Sequence, residues 1–435
     1  MNTGRARHRA CVIGAGPSGL TAAKNLLAAG ITDLVVLEKS ARVGGNWVFD
    51  PRPGHSSVYA STHLISSRRE SQFTDFPMPR EYPDYPSHAL VLKYLEDYAR
   101  AFDLHRHIRF ETEVRTARPL DGGGWSLALN NGDCIECEHL LVANGHHWAP
   151  REPQYPGTFS GEWLHAHAFK DNTPFTGRRV LVIGGGNSGC DIAVDTARVS
   201  AFTAISLRRG YYFVPKFVGG LASDRLLTNI AWMPRAVRIA LGRLMLRIFV
   251  GPARRYGMPE PDHRLFESHP IVNSELPYAI RHGDVAVRRD IERFEGNEAI
   301  FTDGRREVFD VVIAATGYHV RFPFLDRDIT PWADRDLPLY LRVFDPNRAD
   351  LYFIGLIQPN GCIWPLADLQ SQLVAASITG RWQRPADIAG HVDAELAEVR
   401  ARYAATPRHA IEVDVHDYAK HLRRELCKAR PVSAV

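Results

Sequence analysis

Two stretches of this chain repeat one another, and that repeat constrains the fold more than any other feature. Ala10-Cys11-Val12-Ile13 runs into Gly14-Ala15-Gly16-Pro17-Ser18-Gly19, and Arg179-Val180-Leu181-Val182-Ile183 runs into Gly184-Gly185-Gly186-Asn187-Ser188-Gly189. In both, an apolar strand meets G-x-G-x-x-G and a helical pattern follows. The first glycine makes the tight turn, the second lets backbone amides approach a pyrophosphate, and the third lets helix and strand pack closely. The phosphates then lie on the positive end of the helix, where unpaired N–H groups point outward. Gly14, Gly16, Pro17, Ser18 and Gly19 are read as one nucleotide site, and Gly184, Gly186, Asn187, Ser188 and Gly189 as another.

A second strand closes each unit. Leu34–Leu37 ends at Glu38, 24 positions after Gly14 (38 − 14), and Thr203–Leu207 ends at Arg208, 24 after Gly184 (208 − 184). The spacing is the same and the charge is opposite. A carboxylate at the first tip accepts both ribose hydroxyls of an adenosine and repels a 2′-phosphate. The guanidinium forks of Arg208 and Arg209 suit that phosphate instead. FAD is therefore expected in the first site and NADP in the second. The glycine pattern alone is weak evidence; strand, helix, second strand and charged tip together are much stronger.

The expected fold is α/β, with two Rossmann-like dinucleotide-binding domains, the first discontinuous. Residues 1–150 form the first part of the FAD domain and 151–305 the NADP domain. Residues 306–435 return to the FAD domain and add C-terminal helices. Leu140–Gly145 reads as a buried strand at which the chain crosses between domains, and Asp310–Tyr318 as its mirror, carrying the chain back. Strands are also read at Ile108–Val114, Trp125–Asn130, Cys134–Cys137 and Leu351–Leu356. Ser87 is placed as the N-cap of a helix over Leu90–Phe102, and a helix over Pro365–Thr379 aims its N-terminus at the flavin ring.

At about 219–270 the βαβ pattern gives way to a helical insertion. Val237, Ala240, Leu241, Leu244 and Ile248 recur at helix spacing, with Arg235, Arg238, Arg243 and Arg247 among them. Residues 234–250 thus fit a peripheral membrane contact or, the reading adopted, the roof of a substrate cavity with arginine stems covering apolar surface. Gly44-Gly45-Asn46-Trp47 lets backbone lie flat against a ligand, with Trp47 walling one side of a ring. Lys39, Gly45, Asn46, Val114 and Gln358 join the expected FAD contacts.

The chain has 435 residues, 45% hydrophobic and 23% charged, with a net charge of +4 spread along its length. That is ordinary for a globular protein and too mild to indicate a nucleic-acid partner. Six cysteines without a framework of spacings fit a reducing cytoplasm. The basic N-terminal tail leads into the phosphate loop, not into a cleavage site, and no uncharged run reaches the length of a membrane span. Cys134-Ile135-Glu136-Cys137 is read as a half-buried strand, not a redox pair. His146-His147 and His165-x-His167 lack a carboxylate at metal spacing, so no metal site is expected.

These motifs together resemble the flavin-containing monooxygenases, from Val12 to about Gly380. The most specific is Phe159 to Phe169, which fits F-x-G-x-x-x-H-x-x-x-[F/Y]. Related Baeyer–Villiger enzymes end the pattern in Trp, so Phe169 leans toward the N- and S-oxygenating branch. The resemblance implies that NADPH reduces FAD, O₂ forms a flavin hydroperoxide, and one oxygen passes to a small soft nucleophile such as an amine or sulfide. Baeyer–Villiger oxygenation of a ketone and an oxidase-like release of hydrogen peroxide are the alternatives. In the family an Asn precedes the F-x-D-F-P stretch by eight residues; here that position is Ile65. Ile65 and Ser66 are the flavin-facing candidates: either Ser66 supplies the hydrogen bond that Ile65 cannot, or the site is shaped for another substrate.

Overall fold

A computed structural model describes residues 6–332, 336–403 and 411–430; residues 1–5 of the basic tail lie outside that set. Strand β1 (Ala6–Ile13), buried over its last four residues, turns through Gly14–Gly16 into helix α1 (Pro17–Ala28). Pro17 sits in the first helical turn, where a missing N–H breaks no helical hydrogen bond. β2 (Leu34–Leu37) returns parallel to β1, Val12 beside Val36. Helix α2 (His88–Ala101) follows, with Ser87 at its N-cap as expected, although the Ser87 side chain makes no capping hydrogen bond. The strand expected over Ile108–Val114 is split in two. β3 (Ile108–Arg109) pairs with β2, and β4 (Val114–Pro119) starts a hairpin with β5 (Trp125–Leu129). β6 (Cys134–Val142) joins two strands that read separately in the sequence.

Beyond β6 a second sheet begins with β7 (Glu162–His165) and β8 (Arg179–Ile183). α3 (Asn187–Ala197) and β9 (Phe202–Ser206) complete the second βαβ unit. The insertion holds α4 (Ser223–Asn229) and α5 (Arg235–Phe249), and the sheet resumes with β10 (Val285–Arg288) and β11 (Val311–Ala314). Its order is β10-β9-β8-β11-β7, with every neighbouring pair parallel. The chain then crosses back: β12 (Leu351–Phe353) pairs with β6, Tyr352 beside Leu141. Helices α6 (Trp364–Ile378), α7 (Ile388–Arg402) and α8 (Val415–Cys427) follow.

β11 corrects the sequence reading. A boundary at 305/306 would place Val311–Ala314 in the returning first domain, yet it lies between β7 and β8 in the second sheet. β11 has the place in the second unit that β6 has in the first, against the strand feeding the glycine loop. The return follows Gly317, not residue 305.

Each sheet is buried on two faces. One face of the first packs Leu20, Leu26, Leu95, Tyr98 and Leu373; the other packs Trp125, Leu127, Phe322 and Phe353. The second sheet is covered by Val180, Ile192, Ile205 and Ile313 on one side and by Leu181, Phe294, Phe301 and Phe309 on the other. Strands sealed on both faces read as continuous apolar runs, which is why they were visible in the sequence.

Candidate dinucleotide sites and the cavity beside them

The two glycine loops match atom by atom. Gly14 has φ +104°, and a Cβ built there would stand 2.7 Å from the carbonyl oxygen of Ala143, which follows β6. Gly184 has φ +109°, and its Cβ would stand 2.6 Å from the carbonyl oxygen of Ala315, which follows β11. Both loops close with a glycine whose Cβ would collide with the loop's own first carbonyl: Gly19 at 1.8 Å from the oxygen of Gly14, and Gly189 at 2.0 Å from that of Gly184. Neither α1 nor α3 has a side-chain cap. Their first-turn amides therefore face outward without a protein side chain to satisfy them, the arrangement a phosphate fits. Pro17 and Ser18 lie in the first turn of α1, Asn187 and Ser188 in that of α3. Gly45 packs on Gly16, with the Gly44 amide donating to the Ala15 carbonyl at 3.0 Å.

The tips carry opposite charge. Glu38 is buried, one oxygen accepting from the Ala15 amide at 2.6 Å and the other from the Ser40 amide at 2.8 Å and hydroxyl at 2.7 Å. Arg208 is exposed and makes no hydrogen bond or ion pair among the described residues. Arg209 donates to the Ser268 hydroxyl at 3.2 Å and lies 5.5 Å from the Tyr211 ring centre. Lys39 reaches over the Trp148 ring at 5.6 Å, and burial lowers its pKa. Val114 is buried as the first residue of β4. The Asn187 side-chain carbonyl accepts from the Val272 amide at 2.9 Å, so it ties α3 to the segment that follows the insertion.

The expected ring-facing segments also meet. Trp47 stands edge-on to Trp364 with ring centres 5.7 Å apart. The Asn46 side-chain oxygen accepts from the Ser57 amide at 2.8 Å and hydroxyl at 3.0 Å. Gln358 pairs beside Glu412 in a short parallel bridge. Ile65 is half-buried, whereas Ser66 is buried with its hydroxyl 2.8 Å from that of Ser71. The Cys362 thiol donates to the Ser71 carbonyl at 3.8 Å, and burial pushes that thiol up to about 11. The Ser66 hydroxyl is thus already engaged.

Two contacts escaped sequence reasoning. Gly355, just past β12, lies so close to Ser18 that a Cβ there would meet the Ser18 hydroxyl at 2.1 Å. Lys24 on α1 meets Asp368 on α6 at 2.9 Å and Asp75 at 2.6 Å. Asp75 belongs to Phe73-Thr74-Asp75-Phe76-Pro77, so an acidic residue inside an aromatic, proline-rich turn was the available signal.

A cavity of about 1160 Å³ opens between α4 and α5 on one side and α6 and α8 on the other. Its floor includes Asn360, Gly361 and Cys362, beside the Ser66–Ser71 pair. α5 lines it with a face that carries arginines. Arg235, Arg238 and Ile239 point to the cavity, and Arg238 is buried against Asp414 and Asp417. Val237, Leu241, Leu244 and Ile248 face solvent, Ile248 at 66% exposure. The helix turns its apolar stripe outward because its inner side is held by ion pairs to α8 and the residue before it.

Two matched glycine loops with opposite charges at their tips have the form of a pair of dinucleotide sites, as in an oxidoreductase that works with two nucleotide cofactors. The model of the flavin-binding monooxygenase-like family matches residues 7–432, and the chain belongs to that family. It is 34% identical to mouse (Mus musculus) flavin-containing monooxygenase 5, over 98% of this chain and 84% of that protein. To human (Homo sapiens) flavin-containing monooxygenase 2 it is 32% identical, over 87% of this chain and 75% of that one. Among solved structures it resembles the S-allyl-L-cysteine S-oxygenase of Allium sativum, with TM-score 0.72 and 25% identity, covering 98% of this chain and 90% of that one. An open cyclohexanone monooxygenase shares the fold, with TM-score 0.71 and 19% identity over 97% of this chain and 98% of that one. The chain is accordingly an FAD-dependent monooxygenase that uses NADPH. No helix among the described residues is long and apolar enough to cross a membrane.

Proposed function

We propose that this enzyme oxygenates the nitrogen or sulfur of a small soft nucleophile. One oxygen atom of O₂ enters the product, and the other leaves as water with the two electrons of NADPH and a proton. FAD, when bound, supplies the electron relay and the oxygen activation. The protein's part is to bind, orient and keep dry. In this reading Gly14 to Gly19, Glu38, Lys39, Gly45, Asn46, Trp47, Val114 and Gln358 hold FAD. Gly184, Gly186 to Gly189, Arg208 and Arg209 hold NADPH, and Ile65 and Ser66 border the reacting face. Residues up to about 150 and from Gly317 onward make the FAD domain, and the segment between makes the NADP domain.

The observation that carries the reading is the exact duplication of the loop around Ala143 and Ala315 with the charge at the tip reversed. N- or S-oxygenation is favoured by Phe169 ending the linking motif. Its ring is buried, 5.6 Å from Phe175 and 5.4 Å from Tyr59. The test is stoichiometry: holoenzyme with NADPH and a thioether or tertiary amine yields one oxide per NADPH. Ester formation from a ketone at higher efficiency would assign Baeyer–Villiger chemistry, and one peroxide per NADPH with every substrate would assign an oxidase.

A second reading concerns location. The outward face of α5 presents Leu244, Ile248 and Phe249, preceded by Trp232 at 78% exposure, with Arg243 and Arg247 beside them. An apolar stripe flanked by arginines suits an anionic membrane surface. Flotation with phosphatidylserine vesicles, abolished by Leu244→Glu and Ile248→Glu, tests it.

A further inference from the structure

The cavity beside Cys362 is unevenly charged in a way that names its ligand. Four carboxylates line it, and each is already engaged. Glu70 accepts from the Thr228 hydroxyl at 2.9 Å, and Asp224 from the Ser67 amide at 2.5 Å. Asp414 caps α8 and faces Arg238, and Glu425 accepts from the Trp382 indole at 3.2 Å and pairs with Lys428 at 2.6 Å. Burial lowers the pKa of both His416 and His421, which disfavours their cationic forms. Against these stand Arg69, Arg235, Lys420, Arg423 and Arg424, which line the cavity with no hydrogen bond or ion pair among the described residues. The Arg235 Nε–H is buried and has no partner in that set. A buried guanidinium donor without an acceptor costs free energy that an anionic ligand would offset.

Phe73, Leu227, Ile239, Phe266, Leu366 and Leu369 give the wall an apolar part, beside the neutral polar Gln72, Thr74, Thr228 and Asn360. An apolar lining with unpaired guanidiniums reaching in from both α5 and α8 fits a molecule with an apolar body and one anionic group held between them.

We infer that the cavity selects substrates carrying a carboxylate, an apolar thioether or amine acid in preference to its neutral or cationic counterpart. This rests on the proposed N- or S-oxygenation and adds the substrate's charge. Arg235, Arg423 and Arg424 act as specificity determinants that take the carboxylate while the soft atom extends toward the Asn360–Cys362 floor.

The experiment measures binding first and turnover second. Holoenzyme without NADPH is titrated calorimetrically with 3-(benzylthio)propanoate and with its methyl ester, which keeps the sulfur and removes the charge. The acid binds at least about tenfold tighter, the equivalent of about 1.4 kcal/mol. Arg423→Gln with Arg424→Gln shrinks that ratio at least about fivefold, and raising salt shrinks it in the wild-type protein, where no folding question arises. Equal binding, tighter binding of the ester, or a ratio unmoved by both salt and the substitutions overturns the inference. Turnover then separates the two claims. A preserved binding preference with no sulfoxide from either compound, and no N-oxide from a tertiary amine acid or its ester, refutes the proposed oxygenation and leaves the charge selection standing.

Discussion

Lys24 and Asp368 meet at 2.9 Å inside the protein, the carboxylate fully buried, and tie the helix of the first glycine loop to the helix that follows β12. Thr21 donates to the same carboxylate at 2.7 Å and Asn25 at 2.8 Å, and Thr74 closes the cluster. Burial opposes ionisation of Asp368, but the Thr74 hydrogen bond and the Lys24 charge outweigh it and hold the carboxyl below its ordinary value. Asp368→Ala removes the buried acceptor of an ammonium that is itself only 8% exposed. Breaking one side of such a pair costs about 3–5 kcal/mol. The variant should melt well below wild type and lose flavin on dialysis, with Asp368→Asn between the two. Wild-type melting and retained flavin in Asp368→Ala would show that the cluster does not hold the two helices together.

The duplicated loops predict separable defects. An added Cβ at Gly14 or Gly184 is strained by the positive φ and blocked by a backbone carbonyl within 2.7 Å. Gly14→Ala should purify colourless. Gly184→Ala should purify yellow, with its KM for NADPH raised by an order of magnitude or more. Flavin absorbance and steady-state kinetics read the two, and a colourless Gly184→Ala beside a yellow Gly14→Ala would reverse the assignment.

Arg208 makes no hydrogen bond or ion pair among the described residues, so its removal leaves no hydrogen-bonding group orphaned behind it. Charge-assisted hydrogen bonds contribute about 1.5–3 kcal/mol each. Arg208→Ala should lower the preference for NADPH over NADH, as a ratio of kcat/KM, by about one to two orders of magnitude, while kcat with NADH stays near wild type. An unchanged preference would refute the reading of the charge reversal.

What was legible followed from local rules. Glycine positions, strand tips and the 24-residue spacing are set by backbone sterics and by the reach of one ribose, so they appear in the sequence. The membership of Val311–Ala314 was not legible, because a buried parallel strand has the same apolar run whichever sheet it joins. The outward turn of α5 was hidden for a related reason. Periodicity marks Val237, Leu241, Leu244 and Ile248 as one face, but only the Arg238 contacts with Asp414 and Asp417, about 180 residues away in sequence, decide which face turns inward. The engagement of the Ser66 hydroxyl by that of Ser71 could not be seen without the fold.

Glu395 on α7 makes a prediction about pH. Its two oxygens accept from the Leu341 amide at 3.1 and 3.3 Å, bracing Leu341 and Arg342, which both have positive φ, 53° and 56°. Burial raises its pKa to about 7, with Arg342 opposing the rise. The unfolded carboxyl titrates near 4.3. Between those values the folded state holds a proton that the unfolded state has released, so stability from this group is complete at low pH and falls as pH rises through about 7. Its contribution to the slope is at most about 1.4 kcal/mol per pH unit. Asp191, raised to about 6 by burial despite the nearby Lys216, adds a slope of the same sign. Urea unfolding at a series of pH values from 5 to 7.5 should therefore show the stability of wild type falling relative to that of Glu395→Gln as pH rises, the slopes from Asp191 and the other groups being common to both. Parallel curves for the two proteins would mean that Glu395 is ionised throughout that range.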